Sequence, residues 1–199
     1  MSSSSIQEHY PFFLQHLQRH IRLSDDEKMH VCSLLKLRRV LPRQFLLNAG
    51  DICKFESFVV KGFLRSFYLD DQGNDFTLHF AMEDWWIADF ASFRENSPAT
   101  RNIVALEQSI VLQLDKEAIE SLYRDIPQFE HYRRVLSENV SVTQDERLIK
   151  AISMSAAERY EALIQKYPNI EQRLPQKHIA SYLGITPVFL SKIRAGKNA

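Results

Sequence analysis

A chain of 199 residues is long enough for one large or two small domains with a real apolar core. Hydrophobic residues make up 45 % of it, and 25 basic side chains balance 25 acidic ones, so the composition excludes a disordered polyelectrolyte and describes a soluble globular protein. The cysteines Cys32 and Cys53 are too far apart for a Cys-x-x-Cys pair, which argues against a zinc site or a cysteine-ligated iron–sulfur cluster; two reduced, buried thiols are expected, with no metal and no cofactor.

The start, MSSSSIQEHYPFF, has no basic segment followed by a long apolar run, so no signal peptide is expected, and residues 1–5 are expected to be disordered. Phe13, Leu14, Leu17 and Ile21 recur at helical spacing and predict a helix from Ile6 to about Leu23. Ser24 before Asp25, Asp26 and Glu27 reads as an N-cap with acids in the first turn, opening a helix through Leu35. After Leu37 the pattern changes to short runs rich in Val, Phe, Leu and Tyr. Strands are predicted at 37–41, 45–48, 55–60, 63–69, 75–82, 101–106 and 109–114, punctuated by Pro42, Gly50, Gly62 and Asp70 to Gly73. Around that last turn, Phe67 and Leu69 alternate on one side and Phe76, Leu78 and Phe80 on the other, which predicts a buried face. Many short strands at even spacing suggest an antiparallel barrel or roll, a container for a small ligand.

Helical signals return at Asp115, a cap for Lys116 to Tyr123, and Pro127 opens a longer helix carrying Phe129, Tyr132, Val135, Leu136, Val140, Leu148 and Ile152. This face packs on the roll or on its own copy in a dimer, with Asn139, Thr143 and Arg147 interrupting the seam. Ser155 then caps a helix with Tyr160, Leu163 and Ile164 that Pro168 ends, a floor for the C-terminal segment. No apolar run reaches membrane-spanning length, and a cytoplasmic location is expected.

The stretch from Gln176 to Ala195, QKHIASYLGITPVFLSKIRA, reads as two short helices joined at Gly184. Ile179, Ala180 and Leu183 face one way; Leu190 and Ile193 face back. Thr186 N-caps the second helix, and Pro187 stands at its first position, where a missing N–H costs nothing. This is the pattern of a helix-turn-helix, whose second helix enters the DNA major groove. After Glu171 there is no acidic residue, while Arg173, Lys177, Lys192, Arg194 and Lys197 are basic, so the end of a neutral chain is locally cationic.

The order helix, roll, long helix, helix-turn-helix resembles the Crp/Fnr (cyclic-AMP receptor protein / fumarate–nitrate regulator) superfamily of transcription regulators over nearly the whole chain. The resemblance is carried by the Gly50-Asp51 turn, FVVKGFLRSFYLDDQGNDFTLHF (Phe58 to Phe80), EDWWIADFASF (Glu83 to Phe93), IVALEQS (Ile103 to Ser109) and PQKHIASYLGIT (Pro175 to Thr186). The wording is most similar to short regulators of Bacteroidetes-type bacteria. The resemblance implies an α+β chain: a cyclic-nucleotide-binding-like β-roll with N-terminal helices over 1–125, a connecting dimerisation helix over 126–152 and a helix-turn-helix domain over 153–199.

Departures from the family pattern limit what carries over. Members that bind cyclic AMP have Gly-Glu and then Arg-Ser in the phosphate-binding segment; here Ala88-Asp89 and Ala99-Thr100 stand there, with Arg94 and Arg101 nearby but displaced. The ligand is therefore unknown and expected not to be cyclic AMP. Trp85, Trp86, Asp89, Arg94 and Arg101 are the candidate pocket residues, although large aromatics in a roll also serve as core. Where the family's reading helix carries Arg, Glu and Arg, this chain has Pro187, Val188 and Lys192. Val188 is suited to a thymine methyl, Lys192 to a guanine or a phosphate, Ser191 to polar reading, and Thr186, Arg194 and Lys177 to the DNA backbone. Five residues follow Arg194, so the family's β wing is expected to have almost no room.

The expected partners are double-stranded DNA, a second copy of the chain, RNA polymerase and an unidentified small-molecule effector, with no membrane. The competing reading is a small-molecule-binding β-roll protein whose helical C-terminus serves dimerisation or partner docking. A cupin-type enzyme needs two or three histidines on the strands, and His79 is the only one there, so no enzymatic activity is expected.

Overall fold

The structure, a computed structural model, describes residues 4–196. Residues 1–3, at the start of the expected disordered segment, and Lys197 lie outside the described residues. The chain forms two compact units, the first from Met1–Ser66 and Phe80–Leu136, the second from Phe67–His79 and Ser137–Ala199.

The first unit opens with α1 (Ser4–Gln7), α2 (Tyr10–Gln18) and α3 (Asp25–Leu34). Helix is therefore present from Ser4, inside the segment expected to be disordered, and the single helix expected over Ile6 to Leu23 is two. Pro11 has no N–H for the Gln7 carbonyl, so the ladder restarts with proline in the first turn of α2. At the far end the chain turns extended to place Ser24 as a cap. Its Oγ accepts from Glu27 N (3.2 Å) while Glu27 Oε2 accepts from Ser24 N (2.7 Å), a reciprocal capping box.

Eight strands come next among the described residues: β1 (Lys36–Val40), β2 (Phe45–Leu47), β3 (Glu56–Lys61), β4 (Leu64–Leu69), β5 (Asp75–Ala81), β6 (Trp86–Ile87), β7 (Asn102–Ala105) and β8 (Ser109–Leu114). They form two four-stranded sheets, ordered β1-β8-β3-β6 and β2-β7-β4-β5. In the first, Phe58 stands opposite both Leu112 and Trp86, while Ser57 stands opposite Gln113 and Ile87. The alternation sends the two rows to opposite faces. The Phe58 row packs with Phe13, Leu17, Val31, Leu122, Phe129 and Tyr132 under the helices. The other face joins Val59 and Val111 to Leu47, Leu64, Ile103 and Ala105 inside the roll. Between β3 and β4, Gly62 turns the chain at φ +106° and gives its N–H to Glu83 Oε1 (2.9 Å).

Two elements of this unit lie outside the sequence expectation: β6, two residues long, and α4 (Phe90–Glu95). Helix α5 (Lys116–Asp125) starts as expected at Asp115, whose Oδ1 accepts from Ala118 N (2.9 Å) and whose carboxyl is held below its ordinary pKa mainly by Lys36. Helix α6 (Gln128–Ser153) belongs to the first unit through Leu136 and to the second beyond it. Cys53 is buried; Cys32, expected to be buried, is half-exposed.

The second unit holds the tip of the β4–β5 hairpin, the rest of α6, and α7 (Ala156–Lys166), α8 (Ile170–Arg173), α9 (Gln176–Leu183) and α10 (Pro187–Arg194). Asp70 closes the hairpin turn by accepting from Gln72 N (2.9 Å) and Asn74 N (2.8 Å). The face expected to be buried beside this turn is not. Leu69 and Phe76 are exposed, Phe67 and Leu78 are half-buried, and of the five only Phe80 is buried. The reason is position: β5 is the edge of its sheet, and the residue of its outer half that is buried is polar Thr77. Ser155 caps α7 with a second capping box to Glu158. Leu163, Ile170, Leu174, Ile179, Ala180, Leu183 and Leu190 are the buried apolar side chains of the C-terminal helices.

Candidate nucleic-acid interface

Helix α9 ends at Gly184, left-handed at φ 69° and ψ 33°, a conformation that a side chain disfavours. The last four carbonyls of the helix all find donors. Ile185 N bonds Ala180 O (3.0 Å) and Gly184 N bonds Ser181 O (3.2 Å). Two arginines take the others: Arg147 Nη2 from α6 bonds Tyr182 O (3.1 Å) and Arg159 Nη2 from α7 bonds Leu183 O (3.2 Å). Two guanidinium charges thus sit at the negative end of the helix dipole, where cations are favoured. The turn that sets the direction of α10 is held from both sides.

The same helix is tied to the hairpin tip. Ser181 Oγ donates to Asp75 O (2.9 Å) and accepts from Thr77 N (2.9 Å) and Thr77 Oγ1 (3.0 Å), so its hydrogen-bonding capacity is used up. Arg147 bonds Thr77 O (3.1 Å) and the Leu78 carbonyl, and its guanidinium lies 4.1 Å from the centre of the Tyr182 ring. Arg147, which interrupts the apolar seam of α6 in sequence, is thereby turned away to the hairpin and α9. Arg147→Ala is expected to leave three carbonyls without their charged donor and to cost about 2–3 kcal/mol. Arg147→Lys should recover only part, because one ammonium lacks the planar fork. Urea unfolding midpoints of the two variants check this.

Helix α10 starts as the sequence predicts. Thr186 Oγ1 accepts from Phe189 N (3.1 Å), and Pro187 occupies the first turn. Leu190 is buried, whereas Pro187, Val188, Ser191, Lys192 and Ala195 are exposed, Val188 at 70 %. From Val188 these positions follow the i, i+3, i+4, i+7 spacing of one helix face, with Pro187 beside them at its start. Ser191 Oγ donates to Pro187 O (3.1 Å) within the helix. Arg194 is placed differently: its Nε pairs with Glu171 Oε1 (2.9 Å), which also accepts from Tyr160 OH (2.8 Å). The last acidic residue of the chain therefore neutralises one of the basic ones. Lys177 is exposed in the first turn of α9.

The candidate pocket residues of the roll separate. Asp89 is 1 % exposed and faces protein: it caps α4 through Ser92 N (3.3 Å), accepts from Thr100 N (3.1 Å) and pairs with Arg101 Nε (3.4 Å). Arg94 points outward beside Glu95. Trp86 joins the core under the helices, its Nε1 donating to Tyr132 OH (2.7 Å), which lies 2.8 Å from His16 Nε2. Burial pushes the Tyr132 phenol well up. Trp85 is 38 % exposed. Only Asp89 and Arg101 come together, as an ion pair. The roll interior instead holds a cavity of about 170 Å³, lined among others by Arg38, Leu47, Cys53, Ser57, Ile103 and Gln113. Gln113 Nε2 donates to Ser57 Oγ there (3.0 Å), and burial raises the Cys53 thiol.

Residues 37–125 match the family model of the cyclic nucleotide-binding domain. No curated protein sequence matches the chain. Among solved structures, the chain is similar to a variant of CooA from Carboxydothermus hydrogenoformans at 16 % identity and a TM-score of 0.68, covering 91 % of this chain and 82 % of that one. It is similar to the c-di-GMP-responsive global regulator CLP of Xanthomonas campestris at 11 % identity and a TM-score of 0.67, covering 87 % and 91 %. A protein described as a crp/fnr-family transcriptional regulator from Eubacterium rectale matches at 17 % identity and a TM-score of 0.68, covering 87 % and 83 %. The roll is thus a domain of the cyclic nucleotide-binding type. The chain as a whole has the α+β fold of Crp/Fnr transcription regulators. Among the described residues no helix is long and apolar enough to cross a membrane.

Proposed function

We propose that this chain is a DNA-binding transcription regulator in which α10 enters the major groove. The observation that carries the reading is the outer face of α10. Pro187, Val188, Ser191 and Lys192 stand exposed on a helix that is capped by Thr186, anchored by buried Leu190 and set by the braced turn at Gly184. Lys192 and Ser191 are the polar readers; Thr186 and Lys177 face the DNA backbone. Arg194 reaches a phosphate only by leaving Glu171, so its share is smaller than its charge suggests. Val140, Leu148 and Ile152 are exposed on α6 and support a homodimer through this helix, which would present two half-sites about one helical turn apart. RNA polymerase is the further partner of such a regulator, and the chain works without an enzymatic step in the cytoplasm.

The effector is not cyclic AMP in this reading. Asp89 is already engaged by Ser92, Thr100 and Arg101, and the roll cavity of about 170 Å³ falls below the roughly 300 Å³ at which ligand pockets begin. Effector binding would act by shifting the population of helix-turn-helix arrangements.

Gel-shift titration against the DNA upstream of the protein's own gene tests the reading. Specific binding by the full chain is expected. Lys192→Ala should weaken it by about 1–3 kcal/mol if the lysine reads a base. Specific binding that survives deletion of residues 175–199 would overturn the assignment.

A further inference from the structure

We propose that α10 reads A·T base pairs, with Val188 packing on the thymine 5-methyl group and Ser191 accepting from the adenine amino group. This rests on the DNA-binding reading of α10 and adds the base chemistry it selects.

The exposed face of α10 offers few kinds of group. Pro187 has no backbone donor and Ala195 only a methyl group. Val188, at 70 % exposure, is the most exposed large apolar side chain of the C-terminal helices after α6, and its branched Cβ holds it in few rotamers. At that exposure most of its apolar surface is available to a partner. Ser191 gives its hydroxyl proton to Pro187 O (3.1 Å), which leaves only lone pairs facing outward. In that rotamer it accepts from a base. Lys192 supplies donors from a point charge, without the planar fork that grips guanine O6 and N7 together. Arg194, the guanidinium of this helix, is held by Glu171 at 2.9 Å. No Asn, Gln or free Arg stands on the stripe, so the two-pronged reading of adenine is not on offer and Lys192 is left as the one guanine-directed donor there, beside the Val188 and Ser191 pair.

The major groove then decides. Acceptor-only side chains select amino donors, which are adenine N6 and cytosine N4; apolar side chains select the methyl group of thymine. The A·T pair carries both an amino donor and a methyl group. Val188 and Ser191, three residues apart, are neighbours on the helix surface, within about 5–6 Å at Cβ. One pair, or two adjacent ones, can therefore meet both.

The test uses the full chain. Binding sites are selected from a random DNA pool, and the best site is resynthesised with deoxyuridine replacing thymidine one position at a time. Deoxyuridine keeps the pairing and deletes the methyl group. Affinity is expected to fall about fourfold at each position whose methyl is buried, the equivalent of about 0.8 kcal/mol per buried carbon. Val188→Ala should weaken the thymidine site and show no further loss on deoxyuridine. Because Val188 is exposed, the variant should keep the wild-type circular dichroism and melting curve. Wild-type binding indifferent to every thymine methyl, or methyl discrimination that survives Val188→Ala, overturns this proposal while leaving DNA binding in place. A pool that yields no bound DNA overturns the DNA-binding reading and this proposal with it.

Discussion

Replacing Gly62 by alanine is expected to destabilise the first unit by about 4 kcal/mol, the sum of roughly 1–3 kcal/mol for a strained backbone and roughly 1–3 kcal/mol for overpacking. The backbone there has φ +106°, which side chains avoid. An added Cβ would also stand 2.6 Å from Ser109 Cα and closer still to the Ser109 hydroxyl. Ser109 is 0 % exposed and paired with Val40 across β1 and β8, so it has nowhere to go. Gly50→Ala separates the two costs. Its φ is +91°, but an added Cβ would meet nothing within 4 Å. Urea midpoints should therefore fall modestly for Gly50→Ala and steeply for Gly62→Ala. Equal losses would assign the whole effect to the backbone.

Arg133→Met is expected to cost about 3–5 kcal/mol at neutral pH, because it strands a buried carboxylate. Glu56 is 3 % exposed, and Arg133 Nη2 lies 2.5 Å from its Oε2 while the guanidinium covers the Trp86 ring at 5.5 Å. Burial raises the Glu56 pKa above its ordinary value of 4.5, and Arg133 opposes that rise. Without the arginine the pKa climbs further. The folded state then holds a proton that the unfolded chain, at ordinary pKa, does not. The deficit of Arg133→Met should therefore be full at neutral pH and should shrink as pH falls through the raised Glu56 value. The double variant Glu56→Gln, Arg133→Met should recover most of the loss, since no buried charge is left. Chemical denaturation at pH 7 and near pH 4.5 checks both statements.

The features legible in the sequence are those whose partners are close in the chain. Ser24, Asp115, Ser155 and Thr186 are readable as caps because a cap needs only a short polar side chain and an N–H three residues on. The exposed stripe of α10 comes directly from helical period. The features that escape are short or non-local. Strand β6 is two residues, and α4 and α8 are six and four, too few to show a period. The buried face expected beside the hairpin turn assumes a strand covered on one side, whereas β5 lies at a sheet edge. Asp89 reads as a ligand residue in the sequence, but its partners Thr100 and Arg101 turn it inward. Arg147 and Ser181 have partners 70 and 104 residues away, and no local pattern announces them; the one trace is a charge where the α6 seam calls for an apolar residue.

The closure of the β5 edge bears on how the protein behaves in concentrated solution. An open strand edge is a template for recruiting another strand, and proteins blunt it with charge, proline or a covering element. Here the outward groups of Asp75 and Thr77 are occupied by side chains of α6 and α9, with no strand beyond them among the described residues. Exposed Leu69 and Phe76 flank the same hairpin. Any condition that loosens α9 uncovers a pairing edge next to apolar surface. Arg147→Ala samples should therefore self-associate at concentrations where the wild-type chain stays clear, with the hairpin of one molecule as the seed for the next.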